Sequence, residues 1–166
     1  MRGLKCVVVP ETASHLLMSG AFLRRSPEDA LVLQNAILRM QLLTEELVMA
    51  AAGDVDVVLY DRGALDGAAF VEDGLWRRIC RSCGASERAL IGRYDLVMLL
   101  ELPGRELYTR GNNHVRTEEY EEALKQQERL AARWGGHRQM VHIPAARTMG
   151  QRLKTMAKAI ENGMPA

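Results

Sequence analysis

The sequence predicts an α/β fold, a three-layer parallel sheet with helices on both faces, and three observations carry that expectation. Four short β-rich runs recur along the chain: "LKCVVVP", "VDVVLYD", "DLVMLLEL" and "QMVHIP". The first three are continuous apolar runs rather than alternating ones, as expected of strands covered on both faces. The segments between the runs are long enough for crossover helices, so the order implies parallel strands joined by right-handed connections. At 166 residues the chain has the size of one domain, and no internal repeat, low-complexity tract or linker divides it. Residues 1–166 therefore read as a single domain.

Taken in order, the N-terminal "MRGLKCVVVPETA" has the basic start and apolar run of a leader. The run is short and is broken by Pro10 and Glu11, so it reads as a strand. The first long helix opens with Ser26 as N-cap, Pro27 in the first turn, and Glu28 with Asp29 at the positive end. Its expected core stripe is Ala30, Leu33, Ile37, Met40 and Leu47, and Gly53 closes it. Residues 64–93 read as helical pieces around Gly74 and Gly84. A further helix starts after Thr117, with Tyr120, Leu124, Gln127, Ala131 and Trp134 on one face, and stops at Gly135 and Gly136. The last begins at Thr148 with Gln151 three residues on, a capping-box spacing. Leu153, Met156, Ala157 and Ile160 form its stripe, and Gly163 ends it.

Composition narrows the function classes. A net charge of +1 lacks the electrostatic footprint of a general nucleic-acid binder. No apolar run reaches the ~18 residues of a membrane span. Three cysteines, an odd count, argue against a disulfide framework and for a reducing, intracellular setting such as the cytoplasm. Cys80 and Cys83 form one CxxC, either half a metal or redox site or two cysteines on a helix or loop.

In an open parallel sheet, ligands bind beyond the carboxyl ends of the strands. Pro10 and Glu11 follow the first run, Asp61 and Arg62 the second, and Glu101 the third. Carboxylates there can hold Mg²⁺ through water or accept a proton from a hydroxyl, and an arginine can grip phosphate. Alternatively, each is a polar cap of a strand end. The loop "TRGNNHVRTEEYEEA" sets Arg110 and Arg116 about a glycine and two asparagines. It is either a basic lid over a phosphate or a solvated loop whose arginines pair with Glu118 and Glu119. His114 reads as a surface residue. Gln34, Gln41 and Glu45 share one face of the first helix, as a reader of a nucleobase edge or as the polar flank of the stripe. Trp134 reads as an aromatic anchor.

These pieces, in this order, resemble the NadR-like P-loop family, an AAA and nucleoside-kinase-like group. It includes ribosylnicotinamide kinase domains and the TRPL translocation-defect proteins. The matching stretches are "VVVPETASHLL", "LQNAILRMQLLTEE", "VVLYDRGALDG", "NNHVRTEEYEEA" and "RWGGH", which cover nearly the whole chain. The resemblance implies that Glu11 meets a substrate hydroxyl as general base and that Asp61 sits near the magnesium. It further implies that Arg62 faces phosphate and that Arg116, with Arg110, belongs to a lid. Members bind ATP or GTP with Mg²⁺, and the translocation-defect branch, to which the latter half looks closer, is associated with GTP and phosphatidic acid.

One part of the family pattern is not among these residues. No GxxxxGK(S/T) occurs, although that loop supplies most of the grip on the β- and γ-phosphates. In such kinases the strand that carries it is central, between those ending here at Asp61 and Glu101. The expectation is thus a sheet with a gap, closed by direct pairing, filled by a partner chain, or left open. Three readings remain. The loop lies upstream of Met1, and the whole is a kinase-like enzyme acting on a small hydroxyl-bearing acceptor. Or the chain is a non-catalytic module that holds a nucleotide, an acidic lipid headgroup or a protein partner. Or the resemblance is topological only.

Overall fold

The structure, a computed structural model, describes residues 3–20, 27–105, 120–146 and 148–164. By their backbone contacts they form two compact units, one within residues 2–90 and one within residues 91–166.

The N-terminal unit is built on two parallel strands, β1 (Cys6–Val9) and β2 (Val57–Tyr60), in the register Cys6↔Val57 to Val9↔Tyr60. The ladder is prolonged at its carboxyl end, where Asp61 donates its N–H to the Val9 carbonyl at 2.9 Å. Both strands fall on the expected runs, but they are thinly covered: Val8 is 68% exposed and all four β2 residues are half-buried. Helix α1 (Thr12–Met18) follows β1, and α2 (Pro27–Ala51) is the long crossover. Gly53, at φ +56°, turns the chain from α2 toward β2. After β2 come a 3₁₀ turn at Asp66–Ala69, then α3 (Asp73–Ser82) and α4 (Glu87–Ile91), with Gly84 at φ +65° between the two helices.

The core of this unit is Trp76, Leu38, Leu65, Ile79 and Leu90, with small Ala64, Ala68 and Ala69 letting the 3₁₀ turn lie close to α2 and α3. Gly67 shows why the turn needs a residue without a side chain. A Cβ there would stand 2.8 Å from the Trp76 ring and 2.9 Å from the Gln34 amide oxygen. Both are closer than packed carbon atoms come.

Helix α2 corrects the expected stripe. Met40 and Leu47 face solvent, and the buried face is Leu33, Gln34, Leu38, Gln41 and Glu45. The helix is apolar on both sides, so periodicity alone does not tell which side the core takes. Gln41 and Glu45 go inside because they satisfy each other and neighbouring groups there, as the site geometry shows.

Cys80 is buried on α3 and Cys83 is its C-cap, both with free thiols. Burial pushes the Cys80 thiol up to about 11, with the Glu87 carboxylate and Cys83 adding to the effect. A thiol with a raised folded value binds its proton more tightly when folded. Its contribution to stability is present below the unfolded value of 9.0 and is lost as pH climbs toward 11. Iodoacetamide at pH 8 is therefore expected to alkylate exposed Cys6 and half-exposed Cys83, and to reach Cys80 only when urea unfolds the unit. Mass spectrometry of the alkylated peptides checks this.

The C-terminal unit repeats the parallel pair with β3 (Val97–Leu100) and β4 (Met140–Ile143), in the register Val97↔Met140 to Leu100↔Ile143. Between them runs α5 (Tyr120–Trp134), and α6 (Met149–Gly163) returns against β4. The expected cap is present: the Thr148 hydroxyl accepts the Gln151 N–H at 3.3 Å. Leu99, Leu130, Trp134, Ile143 and Ile160 are buried, whereas Leu153, expected in the α6 stripe, is exposed. Tyr94 meets Trp134 edge-on with centroids 5.5 Å apart, and the His137 imidazole hydrogen-bonds the Tyr94 carbonyl through Nε2 at 2.8 Å.

Among the described residues, then, the strands pair as β1 with β2 and β3 with β4, and none pairs β2 with β3. These are mixed α/β units of short parallel strands and helices, consistent with a P-loop NTPase-like fold.

Candidate functional site

The carboxyl ends of β1 and β2 are brought together by their register, and the residues just beyond them form the site. Glu11 follows Pro10 at the entrance to α1, yet its side chain makes no capping hydrogen bond to that helix. Its Oε1 lies 3.3 Å from Arg62 Nε, and its Oε2 accepts the Ser14 hydroxyl. The carboxylate therefore does not cap the helix. It is the partner of an arginine that emerges from the neighbouring strand.

Arg62 is the only residue other than glycine at positive φ among the described residues, at +82°. A left-handed backbone costs an L-residue with a Cβ about 1–3 kcal/mol, and persists where the surroundings over-determine it. Here three groups hold it. Glu11 takes the guanidinium at Nε, Asp66 approaches Nη1 at 3.8 Å, and the Gln41 amide donates to the Arg62 carbonyl at 3.3 Å.

That last bond belongs to a buried polar row along α2. Thr12 Oγ1 donates to Gln41 Oε1 at 2.6 Å, and Gln41 Nε2 also donates to Glu45 Oε1 at 2.8 Å. Gln41 is 4% exposed and Glu45 3%. Buried polar groups are costly unless paired, and these are paired with each other and with the site backbone. Two turns further back, the buried Gln34 has an amide oxygen with no hydrogen-bond partner among the described residues, and the Trp76 indole N–H has none either. The indole ring and that oxygen both flank Gly67.

Asp61 is exposed, and its side chain makes no polar contact among the described residues. A carboxylate free at a strand end fits a water-mediated contact to Mg²⁺. Among the described residues no group of three or more His, Cys, Asp or Glu side chains could hold a metal directly. This holds also for Cys80 and Cys83.

Of the expected site residues, the structure brings together Glu11, Arg62 and Gln41, sets Asp61 beside them in the chain, and puts Gln34 on the same face of α2. Glu101 stands in the other unit, where His142 Nδ1 lies 3.8 Å from its carboxylate and Arg152 donates to its carbonyl. Arg110 and Arg116, with Ser26, His114, Thr117, Glu118 and Glu119, lie outside the described residues. Three participants were not singled out from sequence: Thr12, Ser14 and Asp66. No spacing rule points to Asp66, because the chain between it and Arg62 is a turn that starts from a left-handed residue rather than a helix.

The profile of the AAA domain family matches residues 2–152 of the chain. No curated protein matches it.

Proposed function

Because the chain belongs to the AAA domain family, a group of P-loop NTPase-like, nucleotide-binding folds, we propose that it carries the acceptor side of a NadR-like, kinase-like site. In this reading Glu11 accepts the proton of a small hydroxyl-bearing acceptor, and Arg62 binds the phosphate that this acceptor carries or receives. The observation that supports it is the Glu11–Arg62 pair at adjoining strand ends, anchored by a strained backbone and a buried amide. An ion pair open to solvent on one side, 43% on the arginine, can exchange its internal partner for an incoming anion. The unpaired Gln34 oxygen supports an acceptor that brings a donor, such as the exocyclic amine of a nucleobase.

ATP or GTP with Mg²⁺, when bound, would supply the phosphoryl group. Asp61 would hold the ion through water, and Arg110 with Arg116 would neutralise charge as a lid. Gln41 would keep the Arg62 backbone in place throughout. The intracellular setting expected from the cysteines suits such chemistry, and no helix among the described residues is long and apolar enough to cross a membrane.

A second reading is supported by the sequence itself, which contains no GxxxxGK(S/T) in these 166 residues. In it the same centre is a non-catalytic binding module for a nucleotide, an acidic lipid headgroup or a protein partner.

Thermal-shift screening of the chain against nucleosides and nucleoside monophosphates tests the acceptor site. A ligand that raises Tm, with the rise abolished in Glu11→Gln and in Arg62→Ala, is the expected result. A panel without any shift, or a shift that both variants retain, would remove the proposal.

A further inference from the structure

Helix α2 presents to solvent an apolar stripe opposite its buried polar face: Val32, Met40, Leu43 and Leu47 are exposed, the last two at 55% and 59%. Small Ala36 and Ala50 lie on the same stripe. From Ala36 onward the steps are four, three, four and three residues, through Met40, Leu43, Leu47 and Ala50, which is the a/d seam of a coiled coil. The stripe runs about 20 Å at 1.5 Å per residue. In the same frame Arg39 and Glu46 occupy successive g positions, and both are exposed.

These charges decide what fits. In a parallel pair of α2 helices each g residue faces an e residue of the partner, so Arg39 would face a threonine and Glu46 an alanine, with no charge pairing. In an antiparallel pair, g faces g. Aligning Met40 with the second copy's Leu43 brings Arg39 opposite its Glu46, and the two-fold axis repeats both contacts. Ala36 then meets Leu47, a small residue against a large one. Arg39 already donates from Nε to the Asn35 side chain and from Nη2 to the Ser82 carbonyl, which fixes its stem on the surface and leaves Nη1 for a further acceptor. We infer that the exposed face of α2 pairs antiparallel with the same face of a second copy of this chain, as a self-complementary two-fold interface. Six side chains of this size on a single helix fall short of the ~800 Å² per partner of a standard interface, so a weak, concentration-dependent association is expected.

Sedimentation equilibrium of the 166-residue chain between ~5 and ~200 µM tests the inference, independently of any ligand. The expected result is a monomer–dimer equilibrium that Leu43→Glu abolishes while circular dichroism stays unchanged. Glu46→Arg and Arg39→Glu are each expected to raise the dissociation constant about tenfold or more, since two attractive contacts become repulsive. An equimolar mixture of these two variants restores association, because each then faces its opposite charge. A wild-type chain that stays monomeric overturns the inference, whether or not it binds phosphatidic acid vesicles instead. Association that survives both charge variants, or a mixture that fails to restore it, overturns the antiparallel register.

Discussion

Titrated with Mg-ATP and Mg-GTP, the 166-residue chain is expected to give no measurable phosphoryl transfer and to bind either nucleotide more weakly than micromolar. The reason is an account of contacts. A phosphate loop contributes several backbone N–H donors and a lysine to the β- and γ-phosphates, and a hydrogen bond to a charged group is worth about 1.5–3 kcal/mol. Three such contacts together amount to roughly 5–9 kcal/mol, or more than a thousandfold in affinity. Of the arginines that could compensate, Arg62 is already shared between Glu11 and Asp66, so its use by a nucleotide has to offset the loss of those pairs. Isothermal calorimetry with a coupled turnover assay makes the measurement. Micromolar binding with turnover would mean that these residues make a phosphate site by another route, and the reading of the centre as an acceptor side would fall.

The second large effect is on stability. Trp76→Ala is expected to destabilise the N-terminal unit by about 3–5 kcal/mol, much of the 5–15 kcal/mol that holds an ordinary domain. Trp76 is 0% exposed and fills the space over Gly67, against the 3₁₀ turn, with α2 beside it. Its removal leaves a cavity that the turn cannot close without moving Leu65 and Ala68, themselves buried. The measurement is convenient because the chain has two tryptophans, Trp76 in one unit and Trp134 in the other. In Trp76→Ala, urea unfolding followed at Trp134 reports the C-terminal unit, while the α-helical signal reports both. If the midpoint of neither moves, the packing around Gly67 is not what holds the unit. In Trp134→Phe, the remaining indole gives the reference transition for the N-terminal unit.

The strands were legible in the sequence because each is a compact run of β-branched and aliphatic residues ended by a proline or an acid, and all four lie where those runs do. The α6 cap was legible for the same local reason. The orientation of α2 was not. Met40 and Leu47 are as apolar as Leu33 and Leu38, and a periodicity argument measures where apolar residues recur, not which neighbour they meet. The helix turns Gln41 and Glu45 inward because Thr12 and the Arg62 carbonyl wait there, and those partners come from other parts of the chain. Glu11 and Arg62 were legible as strand-end residues. That they bond to each other, with Asp66 as third member, follows from a strand register and a left-handed turn that one-dimensional spacing does not encode.

Gly67 carries a mechanical consequence. By admitting the edge of the Trp76 ring into the turn, it keys α3 to the segment that holds Asp66, the second carboxylate on Arg62. The arginine is thereby levered from two directions, by the sheet through Glu11 and by α3 through that turn. A tilt of α3 would thus swing one of its two counter-ions while the strands stood still.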